Sequence, residues 1–477
     1  MLWLCISLPQ LSLEALRPDE SSELTVVTDC EANARWIICC NDAAQRGGLK
    51  VGMSYTTALA IRSGITMLER KPQAERAALE RLAAWAYQFS STVIIGEAPI
   101  ELRRARTAAL WLEIGASLRL FGGFRKLIET LEAELTKLDY SYQLGIAPTL
   151  EGAALLARAE IRLALTTTQA LLARIRDLPV THLALAPEIT QQLYMVGVRT
   201  IGAALELPRD AVARRFGPQS SNYLDRLVGA APDPRDAFKL PHVYSARFEF
   251  GFELSNTQAL LFPVRRMLRE FAGFLIARDT GTQRFTLAFS HRECAATELK
   301  IGMSIPARNS EQFFTLVREQ LQRVQLPGPT IELALHATEF SLPTGLQADL
   351  LNGAVQEAEE LSHTIDRVAA RLGDEHVYTV RAVAEHRPEA SWTAAKHGEK
   401  ALAPAFPPRP LWLLPTPKPL QSSSMPIAGK PERIESGWWD DRDAQRDYYI
   451  LRTSEGSQWW VFKDLRDSNW YLHGYWS

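Results

Sequence analysis

The first part of the chain alternates between short apolar runs and longer amphipathic stretches. Residues 2–8 and 109–114 are mostly apolar runs, which is typical of buried strands. Residues 74–90 repeat apolar side chains at helical spacing, and a strand-like run at 141–146 precedes an Ala/Leu-rich helical stretch at 149–164. Strands that alternate with helices in this way predict an α+β or α/β domain.

Between residues 169 and 232 the pattern changes to short helical stretches. The sequence GVRTIG at 197–202 lies between two of them and resembles a helix-hairpin-helix turn. Backbone N–H groups in such a turn can contact a phosphate, so Gly197, Arg199 and Gly202 are candidate DNA-binding residues. An ordinary helical turn with glycine caps explains the same pattern, and the sequence leaves both interpretations open.

A Pro-rich, charged segment at 231–241, APDPRDAFKLP, has the composition of a linker. The following strand and helix signals are in the order βαββαβ, which predicts a small sheet with helices on one face. The predicted strands are 243–252, 282–289, 296–303 and 330–337, and the predicted helices are 257–277 and 310–324.

The remaining residues divide into segments of different composition. Residues 347–372 look helical, and we expect 354–399 as a whole to be helical or a linker. Residues 400–431 are Pro-rich and are predicted to form a tether. Residues 432–477 hold six of the twelve tryptophans, and their short alternating runs predict a small antiparallel sheet.

Length and charge support a multidomain protein and say little about DNA. A chain of 477 residues with 46% hydrophobic and 23% charged side chains is expected to fold as about three to five globular modules. The net charge of −2 reveals no general basic excess. Any contact with DNA must therefore be local or weak.

Cysteine use and hydropathy bear on the cellular compartment. The five cysteines form no CxxC pair, and no histidine spacing near them suggests a zinc site, which suits a reducing cytoplasm. Residues 1–13 lack a basic leader and a small-residue cleavage site. No run of about 18 uncharged apolar residues occurs. We therefore expect a cytoplasmic protein with no signal peptide and no membrane association.

Two segments resemble the palm of Y-family translesion DNA polymerases. They are LRLFGG at 118–123 and LGIAPTLEGAALLARA at 144–159, and the hairpin-like turn and the βαββαβ module follow in the order of that family. The resemblance covers about residues 1–340 and implies an α+β multidomain fold with Y-family architecture. The implied modules are a palm at 1–32 and 76–168, fingers at 33–75, a helical thumb at 169–232 and a little finger at 241–341, before a small β-rich C-terminal module at 432–477.

The residues that this resemblance aligns with the family's metal-binding carboxylates are not acidic. An active Y-family enzyme holds two Mg²⁺ ions with aspartates around its first strand and an Asp–Glu pair on a later palm strand. Cys5 and Ser7 occupy the first pair of positions, and Ala108 and Ala109 occupy the second. Mg²⁺ prefers anionic oxygen, which these side chains do not supply. The resemblance therefore implies a polymerase-like protein that is not an enzyme and binds no metal or other cofactor.

The expected contacts with a nucleoside triphosphate are also missing. A tyrosine and an arginine of the family's fingers align with Asp42 and Gln45, and the asparagine–lysine pair after GIAP aligns with Thr149-Leu150. Other carboxylates could in principle substitute for the lost metal ligands, although solvated surface charges are the simpler interpretation of each. These candidates are Asp29, Glu31, Glu97, Glu101 and Glu113.

The pentapeptide Gln347-Ala-Asp349-Leu350-Leu351 resembles the bacterial sliding-clamp-binding motif. Gln347 would hydrogen-bond the rim of a pocket, and the two leucines would fill an apolar cleft. The start of a plain amphipathic helix is the alternative. The position after the little-finger-like module and a Pro-Thr-Gly break favours a clamp-binding peptide at 345–353.

The tryptophan-rich end predicts a protein-binding surface. RPLWLLPTP and GWWDDRDAQRDYYILR resemble the C-terminal region of the ImuB branch of the Y family, which implies docking of a RecA-like accessory protein and an error-prone replicative-type polymerase. Adjacent side chains on a strand point to opposite faces, so paired tryptophans cannot all share one small interior. Exposed ones would bind protein, with base stacking as the competing idea. The candidates are Trp438, Trp439, Trp459 and Trp460.

Basic side chains in the little-finger-like module are candidates for weak, salt-sensitive contact with primer–template DNA. Nearby acidic residues almost balance them, and a solvated face is the default interpretation for most. The candidates are Arg265, Arg284, Arg292 and Lys300, with Arg266 and Arg269 in the same stretch.

These observations predict a non-catalytic adaptor in damage-induced translesion synthesis and mutagenesis. Such a protein would bridge DNA, the sliding clamp, the RecA-like accessory protein and the error-prone polymerase. Two alternatives remain open: an active Y-family polymerase that uses displaced carboxylates, and a DNA-binding protein without a clamp role.

Overall fold

A computed structural model of the chain describes residues 1–16, 23–31, 34–99, 106–342, 354–395, 407–420, 427–440, 443–453 and 456–476. Residues Met1–Arg371 and Leu372–Ser477 form two compact units. Helices and sheets are mixed in the first unit and strands dominate the second, which confirms the predicted α+β fold with a β-rich C-terminal part. Among the described residues, no helix has both the length and the apolar character needed to cross a bilayer.

The first unit contains the elements that carry the candidate sites. From residue 1 to residue 158 they are β1 (Trp3–Leu8), α1 (Leu11–Glu14), β2 (Thr25–Glu31), β3 (Ala34–Cys40), α2 (Asp42–Arg46), α3 (Tyr55–Ile61), β4 (Thr66–Glu69), α4 (Pro72–Ala86), β5 (Val93–Pro99), β6 (Arg106–Glu113), α5 (Phe124–Lys137), β7 (Gln143–Ala147) and α6 (Leu150–Arg158). The following helices are α7 (Thr168–Ile175), α8 (Pro187–Met195), α9 (Ile201–Glu206), α10 (Arg209–Phe216) and α11 (Pro218–Leu227). The last elements are β8 (Tyr244–Leu254), α12 (Thr257–Ala277), β9 (Thr282–His291), β10 (Thr297–Ala307), α13 (Ser310–Leu321), β11 (Thr330–Ala337) and α14 (Ala354–Leu372).

Many of these helices begin at a short polar side chain that precedes an apolar run. Its oxygen accepts a hydrogen bond from an N–H group of the first turn, which would otherwise lack a backbone partner. These caps are Asn41 for α2, Ser54 for α3, Thr149 for α6, Thr167 for α7, Thr200 for α9, Asn256 for α12 and Asn309 for α13.

The first sheet has the strand order β5–β6–β1–β7, with antiparallel pairing throughout. Because side chains alternate along a strand, β1 contributes to two separate cores. Leu4, Ile6 and Leu8 belong to the core that the sheet forms with α4 and α5. Cys5 and Trp111 belong to the opposite core, which the sheet forms with α6 and the helices after it.

A second sheet has the order β3–β2–β4, with β2 antiparallel to β3 and parallel to β4. The sequence assigns residues 1–32 to a palm and 33–75 to fingers. That boundary is wrong for β2, because Val26 packs with Ile37 and Ala58 in a small core of its own. Strand β2 therefore belongs with the 33–75 segment.

The third sheet, in the order β10–β9–β11–β8, confirms the predicted βαββαβ module. Its long helix α12 has the predicted bounds, 257–277. Helices α12 and α13 cover one face through Phe271, Phe274 and Phe313, and the other face of the strands carries polar side chains.

Segment 231–241 is docked against the body of the protein and is not a free linker. The N–H of Phe238 donates a 2.7 Å hydrogen bond to the carbonyl of Val93 on β5, and the Tyr87 hydroxyl donates to the Phe238 carbonyl. The Phe238 ring contacts the cores on both sides. The prediction of a free linker was based on the Pro-rich and charged composition of the segment, which does not reveal that Phe238 anchors it.

The second unit is built mainly on one sheet, with the order β14–β18–β17–β16–β15, beside a pair of strands, β12 and β13. Their bounds are β12 (Thr379–Ala382), β13 (Trp392–Ala395), β14 (Trp412–Leu420), β15 (Ile427–Ser436), β16 (Ala444–Arg452), β17 (Gln458–Asp464) and β18 (Trp470–Tyr475). The prediction of a small antiparallel sheet near the end of the chain is confirmed.

The predicted tether at 400–431 and the predicted helix or linker at 354–399 are both wrong in part. Strand β14 pairs with β18, and β15 begins at Ile427. The alternating prolines of β14 suit this position because β14 lies at the sheet edge, where a residue without an N–H is tolerated. Within 354–399, helix α14 is followed by the β12–β13 pair.

Candidate functional site

The positions that the family resemblance aligns with metal-binding carboxylates lie on neighbouring strands of the first sheet. Ser7 on β1 is directly opposite Ala109 on β6, and Cys5 is opposite Trp111. Directly paired residues project to the same face, so Cys5, Ser7 and Ala109 form one patch. Ala108 is paired with Leu8 and projects to the opposite face. The structure therefore brings together three of the four predicted positions.

This patch is closed to solvent. The exposed fraction is 0% for Cys5 and Ala109 and 6% for Ser7. Burial raises the pKa of the Cys5 thiol to about 12, against the opposing effect of the nearby Arg158 and Arg235 guanidinium groups. The thiol is therefore protonated at neutral pH, and metals bind the thiolate form.

The donor set at this patch does not fit the two Mg²⁺ ions that the family resemblance implies. Two-metal nucleotidyl transfer needs several anionic oxygens that face the same space. The patch supplies a protonated thiol, a hydroxyl group and a methyl group. A cluster of three or more potential metal-ligating side chains is absent from the described residues as a whole.

A charged network that the sequence did not suggest lies on the same face. The Arg235 guanidinium stacks on the Trp111 ring, with 4.7 Å from Cζ to the ring centroid. Arg235 Nη2 donates to Glu151 Oε1 and to Asp233 Oδ2, both at 2.7 Å, and Arg235 Nε donates to Asp233 Oδ1 at 3.3 Å. The three charged side chains are largely buried, with exposed fractions of 22%, 13% and 14%. In the sequence, this network was indicated only by the high proportion of charged residues in the predicted linker at 231–241.

Local packing explains why Trp111 can lie in this position. Gly96 on β5 is the cross-strand neighbour of Ala109, and a Cβ atom there would come within 2.8 Å of the Trp111 ring. The indole Nε1 donates a 3.0 Å hydrogen bond to the carbonyl of Leu150, at the start of α6. Trp111 therefore links the sheet to α6, where Glu151 lies.

The two candidate substitute carboxylates that the structure describes, Glu113 and Asp29, are bonded to other groups. Glu113 caps a turn by accepting hydrogen bonds from the N–H groups of Leu2, Gly115 and Ala116. Asp29 pairs with Arg70 at 3.2 Å. Glu101 and the side chains of Glu31 and Glu97 lie outside the described residues.

The residues aligned with triphosphate contacts have ordinary local roles. Thr149 caps helix α6 and donates from Oγ1 to the carbonyl of Leu227, and Leu150 is buried. Gln45 Nε2 donates to the carbonyl of Cys40, and Asp42 starts helix α2.

The hairpin-like turn at 197–202 has the hydrogen bonding of a glycine-capped helix end. Gly197 has φ +87°, and the N–H groups of Gly197 and Val198 donate to the carbonyls of Tyr194 and Leu193, which is a Schellman arrangement. The N–H of Gly202 donates to the carbonyl of Arg176. The N–H groups of both candidate glycines, and that of Val198, thus already donate to backbone carbonyls, and Arg199 stacks on the Tyr194 ring at 5.3 Å.

The predicted DNA-contacting residues of the third sheet fall into two groups. Lys300 on β10 is opposite Thr286 on β9, and Arg284 is opposite Gly302. Arg284 and Lys300 are therefore diagonal neighbours on the solvent face, away from the helices. Arg284 has a long ion pair of 3.8 Å with Glu339, and both side chains are highly exposed.

The other predicted arginines are engaged within the protein. Arg265 pairs with Glu311 at 2.6 Å and stacks on the Phe314 ring at 4.6 Å. Arg292 pairs with Glu253 at 3.1 Å, in a cleft with an excess of acidic side chains. Arg266 is buried and Arg269 donates to the carbonyl of Lys137. Their assignment to a DNA surface is not supported by this arrangement.

The four candidate tryptophans separate into core and surface. Trp460 is 3% exposed and stacks on Tyr448 at 4.1 Å, so its assignment to a binding surface is wrong. Trp438 and Trp439 are 80% and 59% exposed and contact each other edge to face. Trp459 is half-buried.

The structure adds two aromatic residues to the surface group. Trp412 on β14 is paired with Tyr475 on β18, and Tyr475 is paired with Trp459 on β17. The three side chains form a row on one face of the sheet, and Trp412 is 60% exposed. Trp412 was not predicted as a surface residue of the sheet, because the prolines that follow it are not typical of a strand.

The predicted clamp-binding peptide, with Gln347, Asp349, Leu350 and Leu351, lies outside the described residues. Helix α14 begins after it, at Ala354. The peptide therefore stays a prediction.

Known proteins match most of this chain. The sequence profile of the impB/mucB/samB family matches residues 11–158. Protein ImuB from Caulobacter vibrioides, in the strains NA1000 and CB 15, is 28% identical over 466 residues, which cover 90% of this chain and 99% of that protein.

Solved structures of polymerases also align with the chain. A crystal structure of DinB from Sulfolobus solfataricus covers 70% of this chain and 98% of its own, with 12% identity and a TM-score of 0.38. A Y-family DNA polymerase chimera covers 72% and 100%, with 13% identity and a TM-score of 0.40. Residues 11–158 are thus similar to the impB/mucB/samB family, and most of the chain is similar in sequence to Protein ImuB.

Proposed function

We propose that this protein is a non-catalytic adaptor in translesion DNA synthesis, with a DNA damage-related role like that of its ImuB homologue. In this proposal the first unit has the palm, fingers, thumb and little finger of a Y-family polymerase and contacts primer–template DNA weakly. The peptide at 347–351 binds the sliding clamp. The tryptophan-rich unit binds a RecA-like accessory protein and an error-prone replicative-type polymerase.

The composition of the Cys5, Ser7 and Ala109 patch carries the non-catalytic part of the proposal. These residues share one sheet face, as a metal-binding set would, but none supplies an anionic oxygen. Cys5 and Ala109 are also inaccessible to solvent, so an incoming nucleotide could not reach them without rearrangement.

Primer extension by the purified full-length chain tests the missing activity. Reactions contain a primed template, all four nucleotides and either Mg²⁺ or Mn²⁺, with an active Y-family polymerase as the positive control. We expect no template-dependent incorporation. Incorporation that survives further purification would overturn the non-catalytic role.

The same assay addresses the alternative of an active polymerase with displaced carboxylates. One observation favours that alternative: Glu151 lies close enough to Cys5 to influence its pKa, and Asp233 shares the Arg235 guanidinium with Glu151. Both carboxylates are bonded to Arg235, and burial raises the pKa of Glu151. If activity were found, its loss in Glu151→Gln would assign it to this pair.

Clamp binding is tested separately by substitution within the full chain. Gln347→Ala combined with Leu350→Ala and Leu351→Ala removes the hydrogen-bonding group and both apolar anchors. We expect this variant to lose retention on immobilised sliding clamp, whereas Gln356→Ala, which lies beyond the 345–353 segment, keeps it. Equal retention of both variants would show that the peptide is not the clamp ligand.

Several moderate contacts on one chain would explain how such an adaptor acts without a tight individual interface. A clamp peptide, a weak DNA surface and a partner-binding unit on one chain raise each other's effective concentration. The slight negative net charge of the chain fits a DNA contact that depends on the other two.

A further inference from the structure

Arg235 occupies a specific place relative to the patch that replaces the metal-binding carboxylates. Its guanidinium lies 4.7 Å from the centroid of the Trp111 ring, and Trp111 is the direct cross-strand partner of Cys5. It is close enough to Cys5 to lower the pKa of that thiol against the effect of burial. A permanent positive charge therefore lies beside the patch.

The carboxylates around this charge are arranged as ligands of Arg235. Glu151 comes from helix α6, Asp233 follows helix α11, and both accept 2.7 Å hydrogen bonds from the same nitrogen, Nη2. Asp233 also faces Arg226 at 3.9 Å. Buried carboxylates of this kind need a cation, and the guanidinium supplies it with directional hydrogen bonds.

The local charge leaves little attraction for an additional divalent ion. The charged groups that face this space are the guanidinium groups of Arg158, Arg226 and Arg235 and the carboxylates of Glu151 and Asp233. The cations are in excess. A divalent ion would have to displace Arg235 to reach both carboxylates.

We propose that Arg235 is an internal cation that takes the place of a bound divalent metal at this sheet face and holds Glu151 and Asp233 against the sheet. Removal of its charge, with the carboxylates kept, opens a latent cation site beside Trp111. The inference rests on the proposed non-catalytic function and explains it: the docked 231–241 segment supplies, through Arg235, the positive charge that a metal ion would otherwise provide.

Terbium luminescence tests this inference because Tb³⁺ binds carboxylates as Ca²⁺ does and is excited by a nearby indole ring. The full-length Arg235→Gln variant should gain saturable, tryptophan-sensitised Tb³⁺ emission that the unaltered chain lacks. This gain should be lost in Arg235→Gln/Trp111→Phe and in Arg235→Gln/Glu151→Gln. Arg235→Lys, which keeps the charge, should remain without emission.

A matched control comes from a similar ion pair elsewhere in the same unit. Arg209 Nε pairs with Asp225 at 2.7 Å, with exposed fractions close to 30% on both sides. Arg209→Gln should give no Trp111-dependent emission. A Trp111-dependent Tb³⁺ signal from the unaltered chain, or none from folded Arg235→Gln, would overturn the proposal.

Folding of the variant is checked by circular dichroism. If Arg235→Gln does not fold in EDTA, it is refolded with Tb³⁺ or Ca²⁺. Recovery of the native spectrum supports the proposal, because an external cation has then replaced the guanidinium, and no recovery contradicts it. These measurements use no DNA, clamp or polymerase, so a failure here leaves the tests of the adaptor role standing.

Discussion

Arg81 Nε donates a 2.6 Å hydrogen bond to Glu270 Oε2, and the two side chains are 7% and 1% exposed. The pair joins helix α4, beside the first sheet, to helix α12, beside the third. Glu270 Oε1 also accepts a 2.9 Å hydrogen bond from the Tyr140 hydroxyl. A Cβ atom at Gly273 of α12 would come within 2.3 Å of the Trp85 ring of α4, so the two helices are in close contact here.

We expect Arg81→Met to destabilise the first unit by about 3–5 kcal/mol, because the substitution leaves a buried carboxylate without its main counter-ion. Urea unfolding of the full chain measures the change. The control is Arg76→Met on the same helix, whose exposed pair with Glu80 should contribute less than about 0.5 kcal/mol. Equal effects of the two substitutions would contradict this role for the buried pair.

Gly145→Ala should be strongly destabilising. Gly145 on β7 is the cross-strand neighbour of Cys5, and an added Cβ would lie 2.1 Å from the Ala153 carbonyl oxygen and 2.3 Å from the Ala157 nitrogen. Both are backbone atoms of α6, so the helix must move off the sheet, at a cost of about 3 kcal/mol or more.

Gly302→Ala is the matched control, because Gly302 is also a strand glycine but has no atom within 4 Å of the added Cβ. This substitution should be neutral or stabilise by up to about 1 kcal/mol, through the lower conformational entropy of the unfolded chain. Thermal unfolding of the two variants distinguishes the cases. A mild effect of Gly145→Ala would show that α6 is loosely packed on the sheet.

The stability of the second unit should fall as the pH is lowered from about 6.5 towards 4. Burial lowers the pKa of His473 from 6.5 to about 4, and its Nδ1 is 2.7 Å from the Tyr448 hydroxyl oxygen. Between these two pKa values the unfolded chain binds more protons than the folded chain, so acid favours unfolding.

Hydrogen exchange in peptides from 444–476 at pH 7 and pH 5 measures this effect. Protection should decrease at the lower pH in the unaltered chain. His473→Gln, which does not titrate in this range, should reduce the difference between the two conditions. An unchanged pH difference in that variant would assign the effect to other groups.

Arg284→Ala and Lys300→Ala should each weaken binding to primer–template DNA and lower the salt dependence of log K by about one unit of slope. Both side chains lie on the solvent face of the third sheet. Arg265→Ala should change neither quantity, because Arg265 is already paired with Glu311 and stacked on Phe314. Fluorescence anisotropy over a range of salt concentrations measures all three. Similar losses for Arg265→Ala would shift the DNA surface to the helical side.

Substitution of Trp460 should lower the stability of the protein, whereas substitution of Trp438 and Trp439 should weaken partner binding and leave stability almost unchanged. Trp460→Ala removes a buried ring stacked on Tyr448 and should cost about 3–5 kcal/mol of stability. Trp438→Ser with Trp439→Ser should change stability by less than about 0.5 kcal/mol, because both side chains are exposed. The same double variant should lose capture of the error-prone polymerase or the RecA-like accessory protein. Unreduced capture would place the partner surface elsewhere, with the Trp412–Tyr475–Trp459 row as the next candidate.

Local sequence patterns predicted most elements of the first unit correctly. Helix α12 and strand β11 have the predicted bounds, because long apolar repeats flanked by capping residues are decided by neighbouring positions. The errors occur where composition and packing disagree. The prolines of β14 led to the prediction of a tether where the structure has an edge strand. The charged residues of 231–241 led to the prediction of a linker where Phe238 anchors the segment to the body of the protein.

The amino-acid sequence alone determined that no carboxylate stands at Cys5, Ser7, Ala108 or Ala109, because chemical identity at a position does not depend on folding. The tertiary structure decided which of these side chains share a face, which tryptophan is buried, and that Arg235 meets Glu151 and Asp233. Such relations depend on strand register and on contacts between residues about 80 positions apart, such as Arg235 and Glu151. Local periodicity holds no information about these contacts, since they form only when separate elements pack together.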